Sequence, residues 1–135
     1  MNSQDIVGTW RNAGQQTLNA DGSVRVALPP TPGFIQYSHD GYMVVVTANR
    51  VGVSTADPAT MTAEEKAQVA AACVAYAGPF EVKNGTVYHH IEAAIFPAWI
   101  GATRIRHASI EGKRLIYVTD PAPDGSTMHI YWERV

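Results

Sequence analysis

Two adjacent histidines, His89 and His90, lie in the run Thr86-Val87-Tyr88-His89-His90-Ile91-Glu92, whose residue types predict a β-strand over 86–95. Neighbours on a strand face opposite sides of the sheet, so only one of the two can enter a cavity. Counting by two, His89 shares a face with Val87, Ile91, Ala93 and Ile95, while His90 shares one with Tyr88, Glu92 and Ala94. The first set is apolar, which predicts that His89 is interior. Desolvation disfavours an imidazolium, so a buried His89 is neutral at pH 7 and can act as a general base or as a hydrogen-bond partner for a ligand. The competing assignment is a core histidine satisfied by a neighbouring hydroxyl. A one-residue slip in register would exchange His89 for His90 and Glu92.

Arg104 and Arg106 stand two apart on the next strand and share a face, with Ile105 and His107 on the other. An inward arginine is costly unless it is paired or binds an anion. Arg106 could fix a carboxylate, enolate or phenolate, or it could pair with Glu92 or stack on a ring. The chain has six tyrosines, Tyr37, Tyr42, Tyr76, Tyr88, Tyr117 and Tyr131, and three tryptophans. Such rings offer a cavity shape plus one polar group. Trp99, after Pro97, is expected in a loop at the mouth. Phe34 and Met43 are either core or adaptable ligand walls.

Other chemistries find no support. Three histidines can bind zinc, and His39, His89 and His129 are the conceivable set, but no H-x-H or H-x-x-x-H spacing accompanies them, so no metal is expected. Ser38, Ser54 and Ser109 lack a G-x-S-x-G elbow. No G-x-G-x-x-G follows a strand and no P-loop lysine is present, so no NAD, FAD or ATP is expected and the cofactor expectation is none. Cys73 is the single cysteine, which excludes an internal disulfide and paired-cysteine zinc sites. It is expected to be buried rather than nucleophilic.

The elements that must position these side chains are mostly short strands. Turn signals recur at Asp21-Gly22, Pro32-Gly33, Asp40-Gly41, Asn84-Gly85, Glu111-Gly112 and Asp124-Gly125. Between them the residues predict strands near 5–12, 23–28, 33–38, 42–49, 79–83, 86–95, 102–110, 114–119 and 127–134. Asp40-Gly41, Asn84-Gly85 and Glu111-Gly112-Lys113 read as tight hairpins, Asn84-Gly85 most strongly. One helix is expected over about 62–76, with Thr62 and Glu65 as a capping box, Val69, Ala72, Cys73 and Tyr76 as one face, and Gly78 as its stop. It should cross outside the sheet or plug one end of a barrel. Eight or nine antiparallel strands favour closure, because closure removes exposed edges. An eight-stranded barrel is wide enough to hold one small ligand.

The chain has 135 residues, which fits one domain over 1–135, and that length buries enough surface to fold without metal or disulfide. Apolar residues are 46% and charged residues 16%. Ten Lys and Arg against twelve Asp and Glu give a net charge of -2, with no basic run, so nucleic acid is not an expected partner. No apolar stretch approaches a membrane-spanning length. The N-terminal MNSQDIVGTW has neither a charged n-region nor an apolar h-region, so a cytoplasmic location is expected. The oligomeric state is open, with a homodimer among the options.

Several blocks together resemble the bacterial and fungal lipocalin-like domain family of small calycin-type barrels. Gly8-Thr9-Trp10 resembles the lipocalin G-x-W opening. Pro32-Gly33-Phe34-Ile35-Gln36-Tyr37-Ser38-His39-Asp40-Gly41-Tyr42-Met43 is similar to that family's P-G-x-x-x-Y-x-x-D-G-Y-M block, and Ala75-Tyr76-Ala77-Gly78-Pro79-Phe80 to its Y-x-G-x-Y/F segment. His89-His90-Ile91-Glu92, Phe96-Pro97-Ala98-Trp99-Ile100-Gly101, Arg106 and Trp132-Glu133-Arg134 fit its later blocks. The resemblance implies a closed antiparallel barrel. It also implies that Trp10 packs against Arg134 to close one barrel end by a cation–π contact. Related small barrels are ligand carriers, or cyclases and isomerases in natural-product pathways, and fold alone does not choose among these.

The expected protein is therefore an all-β lipocalin-like barrel with one interrupting helix, holding a small hydrophobic or aromatic compound. The first expectation is a cofactor-free enzyme of isomerase, cyclase or lyase type. His89 would move the proton, Arg106 would stabilise developing negative charge and Tyr76 would orient the substrate. Tyr37, Tyr42, Tyr117, Phe34, Met43 and Trp99 would contact the ligand. The alternative is a non-catalytic intracellular carrier of a hydrophobic ligand.

Overall fold

A computed structural model describes residues 1–135. Ten strands form one antiparallel sheet: β1 Gly8–Leu18, β2 Val24–Leu28, β3 Gly33–Tyr37, β4 Tyr42–Ala48, β5 Cys73–Lys83, β6 Thr86–His90, β7 Ala93–Ala94, β8 Thr103–Glu111, β9 Arg114–Val118 and β10 Thr127–Arg134. The order β10-β9-β8-β6-β5-β4-β3-β1 closes on itself because β1 also pairs with β10, from Trp10 opposite Arg134 to Leu18 opposite Thr127. The result is a closed eight-stranded antiparallel barrel with β2 and β7 as additions. Closure leaves the eight staves without a free edge. One edge of the long β1 serves two partners, β3 along Gly8–Arg11 and β2 along Gln15–Leu18.

The hairpins follow their turn residues. Asp40-Gly41 joins β3 to β4 and Glu111-Gly112-Lys113 joins β8 to β9. Asn84-Gly85 joins β5 to β6, with φ of 50° and 74°, the left-handed pair that a type I′ turn requires. Interior positions alternate: Ile35 and Tyr37 on β3, Met43 and Val45 on β4, Val87 and His89 on β6, and Leu115 and Tyr117 on β9 are all buried. These residues, with Ile6, Trp10, Tyr76, Phe80, Ile91 and Trp132, fill the barrel.

One barrel end is shut. A single helical turn, α1 (Ser3–Ile6), is capped by Asn2 and brings Ile6 under the barrel, where expectation had the first strand begin at residue 5. Trp10 Nε1 donates to Ile6 O at 2.8 Å. The Arg134 guanidinium lies 4.1 Å from the Trp10 ring centre and donates to Val7 O and Asp5 O. The cation–π closure thus also satisfies carbonyls of the α1 turn.

The helix differs from its expected extent. α2 spans Ala63–Ala71, and its N-terminus carries the Thr62–Glu65 capping box. It stops at Ala72, and Cys73 to Tyr76 continue as β5, paired with Ala48 to Val45 on β4. Of the expected apolar stripe only Tyr76 turns into the barrel, in the inward parity of β5 with Val74 and Phe80, while Cys73 takes the opposite parity. No residue of α2 is buried, so it covers the surface and is not an internal plug, and Cys73 is half-buried on a strand. Pairing this stretch with β4 outweighs its weak helical preference. Gly78 does not end a helix. It sits where β5 and β6 approach so closely that a Cβ would lie 1.8 Å from His90 O.

The predicted 86–95 strand is also interrupted. β6 ends at His90, and Ala93 and Ala94 pair back onto Ala77 and Tyr76 of β5. The inward parity holds for Val87, His89 and Ile91, but Ile95 is 46% exposed.

Candidate functional site

The barrel encloses a cavity of about 340 Å³, walled by Ile35, Val45, Val74, Ile130 and Trp132 among its apolar residues and by Tyr76, His89, Arg104, Arg106 and Tyr117 among its polar ones. That volume is at the small end of ligand pockets, which run from roughly 300 to 1,000 Å³.

His89 is the centre of the polar wall. It is 1% exposed. Its Nε2 lies 2.7 Å from Tyr37 Oη and its Nδ1 lies 2.9 Å from Tyr76 Oη. Tyr37 Oη is in turn hydrogen-bonded to Tyr117 Oη. Four residues from β3, β5, β6 and β9 therefore form one chain, Tyr76–His89–Tyr37–Tyr117. Burial, then the nearby Arg106, His90 and Arg104 charges, pull the His89 pKa down from 6.5 to about 3. The imidazole is neutral at pH 7, so one nitrogen donates and the other accepts. Burial raises the pKa values of Tyr76, Tyr37 and Tyr117, so all three phenols are protonated.

That chain has two uncharged proton arrangements. In one, Nδ1–H donates to Tyr76, Tyr37 donates to Nε2, and Tyr117 donates to Tyr37. Tyr76 then has its own proton free for the cavity. In the other every donor reverses, and Tyr117 holds the free proton. Neither arrangement carries a net charge, which matters in a medium where an isolated charge is costly.

His90 faces outward, with its ring between Glu81 Oε1 at 2.9 Å and Thr103 Oγ1 at 3.0 Å. Arg104 and Arg106 both turn toward the interior and line the cavity. Arg104 lies 4.7 Å from the centre of the Trp99 ring, and Arg106 Nη1 donates to Ile105 O at 2.8 Å. Arg106 does not pair with Glu92.

The expected ligand contacts divide three ways. Trp99, on a short 3₁₀ turn (Pro97–Trp99), and Tyr117 line the cavity, and the Trp99 ring meets Tyr76 edge-on with centres 6.3 Å apart. Tyr37 and Met43 are buried inside the barrel but stand behind the cavity wall. Phe34 and Tyr42 are corrections: they are 47% and 51% exposed on the outer face. Ile35 and Tyr37 take the inward parity of β3, and Met43 and Val45 that of β4, which forces Phe34 and Tyr42 outward.

Among the wall residues that escaped sequence reasoning as site residues are Arg104, Asn12 and Trp132. Arg104 shares the parity of Arg106, which was a sufficient signal. Asn12 and Trp132 had none. Asn12 Oδ1 accepts from Gly14 N and Thr31 N at 3.0 and 3.1 Å, which holds the bend in β1 and uses the acceptor end of the amide. Trp132 Nε1 is buried without any hydrogen-bond partner.

Comparisons with known proteins agree with this architecture. A lipocalin-like protein from Bacteroides uniformis ATCC 8492 is similar at a TM-score of 0.54, with 11% identity, over 97% of this chain and 99% of that one. An uncharacterized protein from Bacteroides eggerthii DSM 20697 is similar at a TM-score of 0.51, with 13% identity, over 96% of this chain and 99% of that one. At such identities the likeness shows the fold alone. No curated protein matches the chain. A family model, the lipocalin-like domain, matches residues 7–135, so the closed barrel, its Trp10–Arg134 seal and its interior cavity belong to a member of the lipocalin-like domain family.

Proposed function

We propose that this barrel is a cofactor-free enzyme that shifts a proton within a small hydrophobic or aromatic compound held in the cavity. The observation that carries the reading is the neutral chain Tyr76–His89–Tyr37–Tyr117, both of whose end residues line that cavity. A substrate O–H or activated C–H gives its proton to Tyr117. Tyr117 passes its own to Tyr37, Tyr37 passes one to Nε2, and Nδ1–H passes to Tyr76. Tyr76 delivers its original proton to a second atom of the substrate. One bond to hydrogen breaks and one forms on the substrate, and no group is left charged. Water in the empty cavity restores the first arrangement. His89 acts through the phenols, because both its nitrogens are bonded to them. Arg106 supports negative charge that develops on a substrate oxygen.

The competing reading is a non-catalytic carrier. It is favoured by the same fact, since an imidazole with both nitrogens partnered is also a stable core element.

Benzoylacetone separates the two. It is a neutral aromatic diketone whose enol and keto forms absorb differently. An enzyme of this kind speeds relaxation between the forms, and Tyr76→Phe slows it by roughly a hundredfold, as expected for loss of a positioned acid–base group. Binding of benzoylacetone without faster relaxation would establish the carrier.

A further inference from the structure

Arg25 and Arg114 each meet a carboxylate, Asp124 and Glu133, at 3.0 and 3.1 Å. Arg104 and Arg106 meet none, although both turn inward and line the cavity. No Asp or Glu stands among the cavity-lining residues. Two other wall residues tilt the same way, while Gln15 and Thr47 are neutral. Trp132 is 4% exposed, lines the cavity, and its Nε1–H has no acceptor. The Asn12 acceptor is already used by two backbone donors. The cavity therefore presents two cationic forks around an apolar chamber, and one residue of its wall carries a buried indole N–H without an acceptor. A buried donor left without an acceptor is penalised, and unpaired guanidinium groups favour a bidentate anion.

We infer that the cavity selects an anionic amphiphile, a small aromatic or aliphatic carboxylic acid whose carboxylate sits on Arg104 and Arg106 and whose apolar body fills the chamber. This narrows the ligand class of the proposed function and rests on its reading of the cavity as a ligand site. It does not rest on the proton chain. The lowered basicity of His89 agrees, since the charges of Arg106 and Arg104 contribute to it.

The test is calorimetric titration with 2-naphthoate and with 2-naphthalenemethanol, which share a ring system and differ in charge. The acid should bind at least tenfold more tightly at pH 7.5. Its affinity should fall as sodium chloride rises from 20 to 500 mM (about the range over which screening becomes strong), while that of the alcohol stays within twofold. Arg106→Gln and Arg104→Gln should each weaken the acid by tenfold or more and leave the alcohol within twofold. Arg114→Gln, on the outer face, should change neither. Equal affinity for acid and alcohol, no binding of either, or an acid affinity indifferent to both salt and the two inward arginines would overturn the inference. The salt series needs no variant, so a folding defect cannot mask the answer. If the acid binds as described while benzoylacetone is not turned over, the anion site stands and the catalytic reading fails. If benzoylacetone is turned over and the acid is not preferred, the reverse holds.

Discussion

Tyr76 Oη stands 2.9 Å from His89 Nδ1, and the same tyrosine lines the cavity, so it is the cavity-lining phenol bonded directly to the imidazole. Tyr117 also reaches the cavity, but it meets His89 only through Tyr37. The two ends of the chain are therefore unequal. Removing Tyr76 takes away the cavity-lining phenol bonded directly to the imidazole, whereas removing Tyr37 breaks the middle.

That difference gives a stability order. Tyr76→Phe leaves His89 Nδ1 without a partner and should destabilise by about 1–2 kcal/mol. Tyr37→Phe strands both His89 Nε2 and Tyr117 Oη and should destabilise more, by about 2–4 kcal/mol. Urea denaturation of the two variants checks the order. The reverse order would show that the Tyr37 bonds add little.

Stability should also depend on pH through His89. Its folded pKa, about 3, lies below the ordinary value of 6.5. Between those values the unfolded chain binds the proton and the folded one does not, so acid favours unfolding. The contribution is fully present above about pH 6.5 and is lost as pH falls toward 3, by up to about 1.4 kcal/mol per unit. Denaturation at pH 7.5, 5.5 and 4.5 should show a steeper loss for the wild type than for His89→Gln. Parallel curves would mean that the imidazole is not desolvated.

The sealed end makes a separate prediction. Arg134 stacks on Trp10 and donates to Val7 O and Asp5 O. Arg134→Met keeps much of the packing and removes both donors, and it should cost about 1–3 kcal/mol. Amide exchange at Ile6 and Val7 should rise well above that at Leu115. A uniform change across the barrel would argue against a local role.

Gly78 tests the β5–β6 contact. Gly78→Ala places a methyl against His90 O and should destabilise by about 3 kcal/mol or more, because the obstacle is backbone on a strand locked by its neighbours. Gly41→Ala meets nothing within 4 Å and suffers only its φ of +88°, so about 1 kcal/mol is expected. Comparable thermal shifts for the two variants would show that the strands can move apart.

Local chemistry was legible wherever neighbours in the chain decide it. Asn84-Gly85 makes its turn because those two residues tolerate positive φ. Val87, His89 and Ile91 turn inward together because alternate strand residues share a face and the apolar Val87 and Ile91 set which face is buried. The Thr62–Glu65 cap starts α2 where its own side chains satisfy the first amides. Where α2 ends was not local: Cys73 to Tyr76 become strand because β4 offers a pairing edge, and the helical spacing of Val69, Ala72, Cys73 and Tyr76 carries no information about that edge. Phe34 and Tyr42 went outward for a similar reason, since a strand of aromatic and branched residues on both faces does not reveal which face the barrel encloses. The proton chain was the least legible feature. Residues 37, 76, 89 and 117 are far apart in the chain, and barrel closure alone brings their side chains within hydrogen-bonding reach. The unpartnered Trp132 indole and the unpaired Arg104 and Arg106 belong to the same class: a missing partner is a property of the assembled interior, which no stretch of sequence contains.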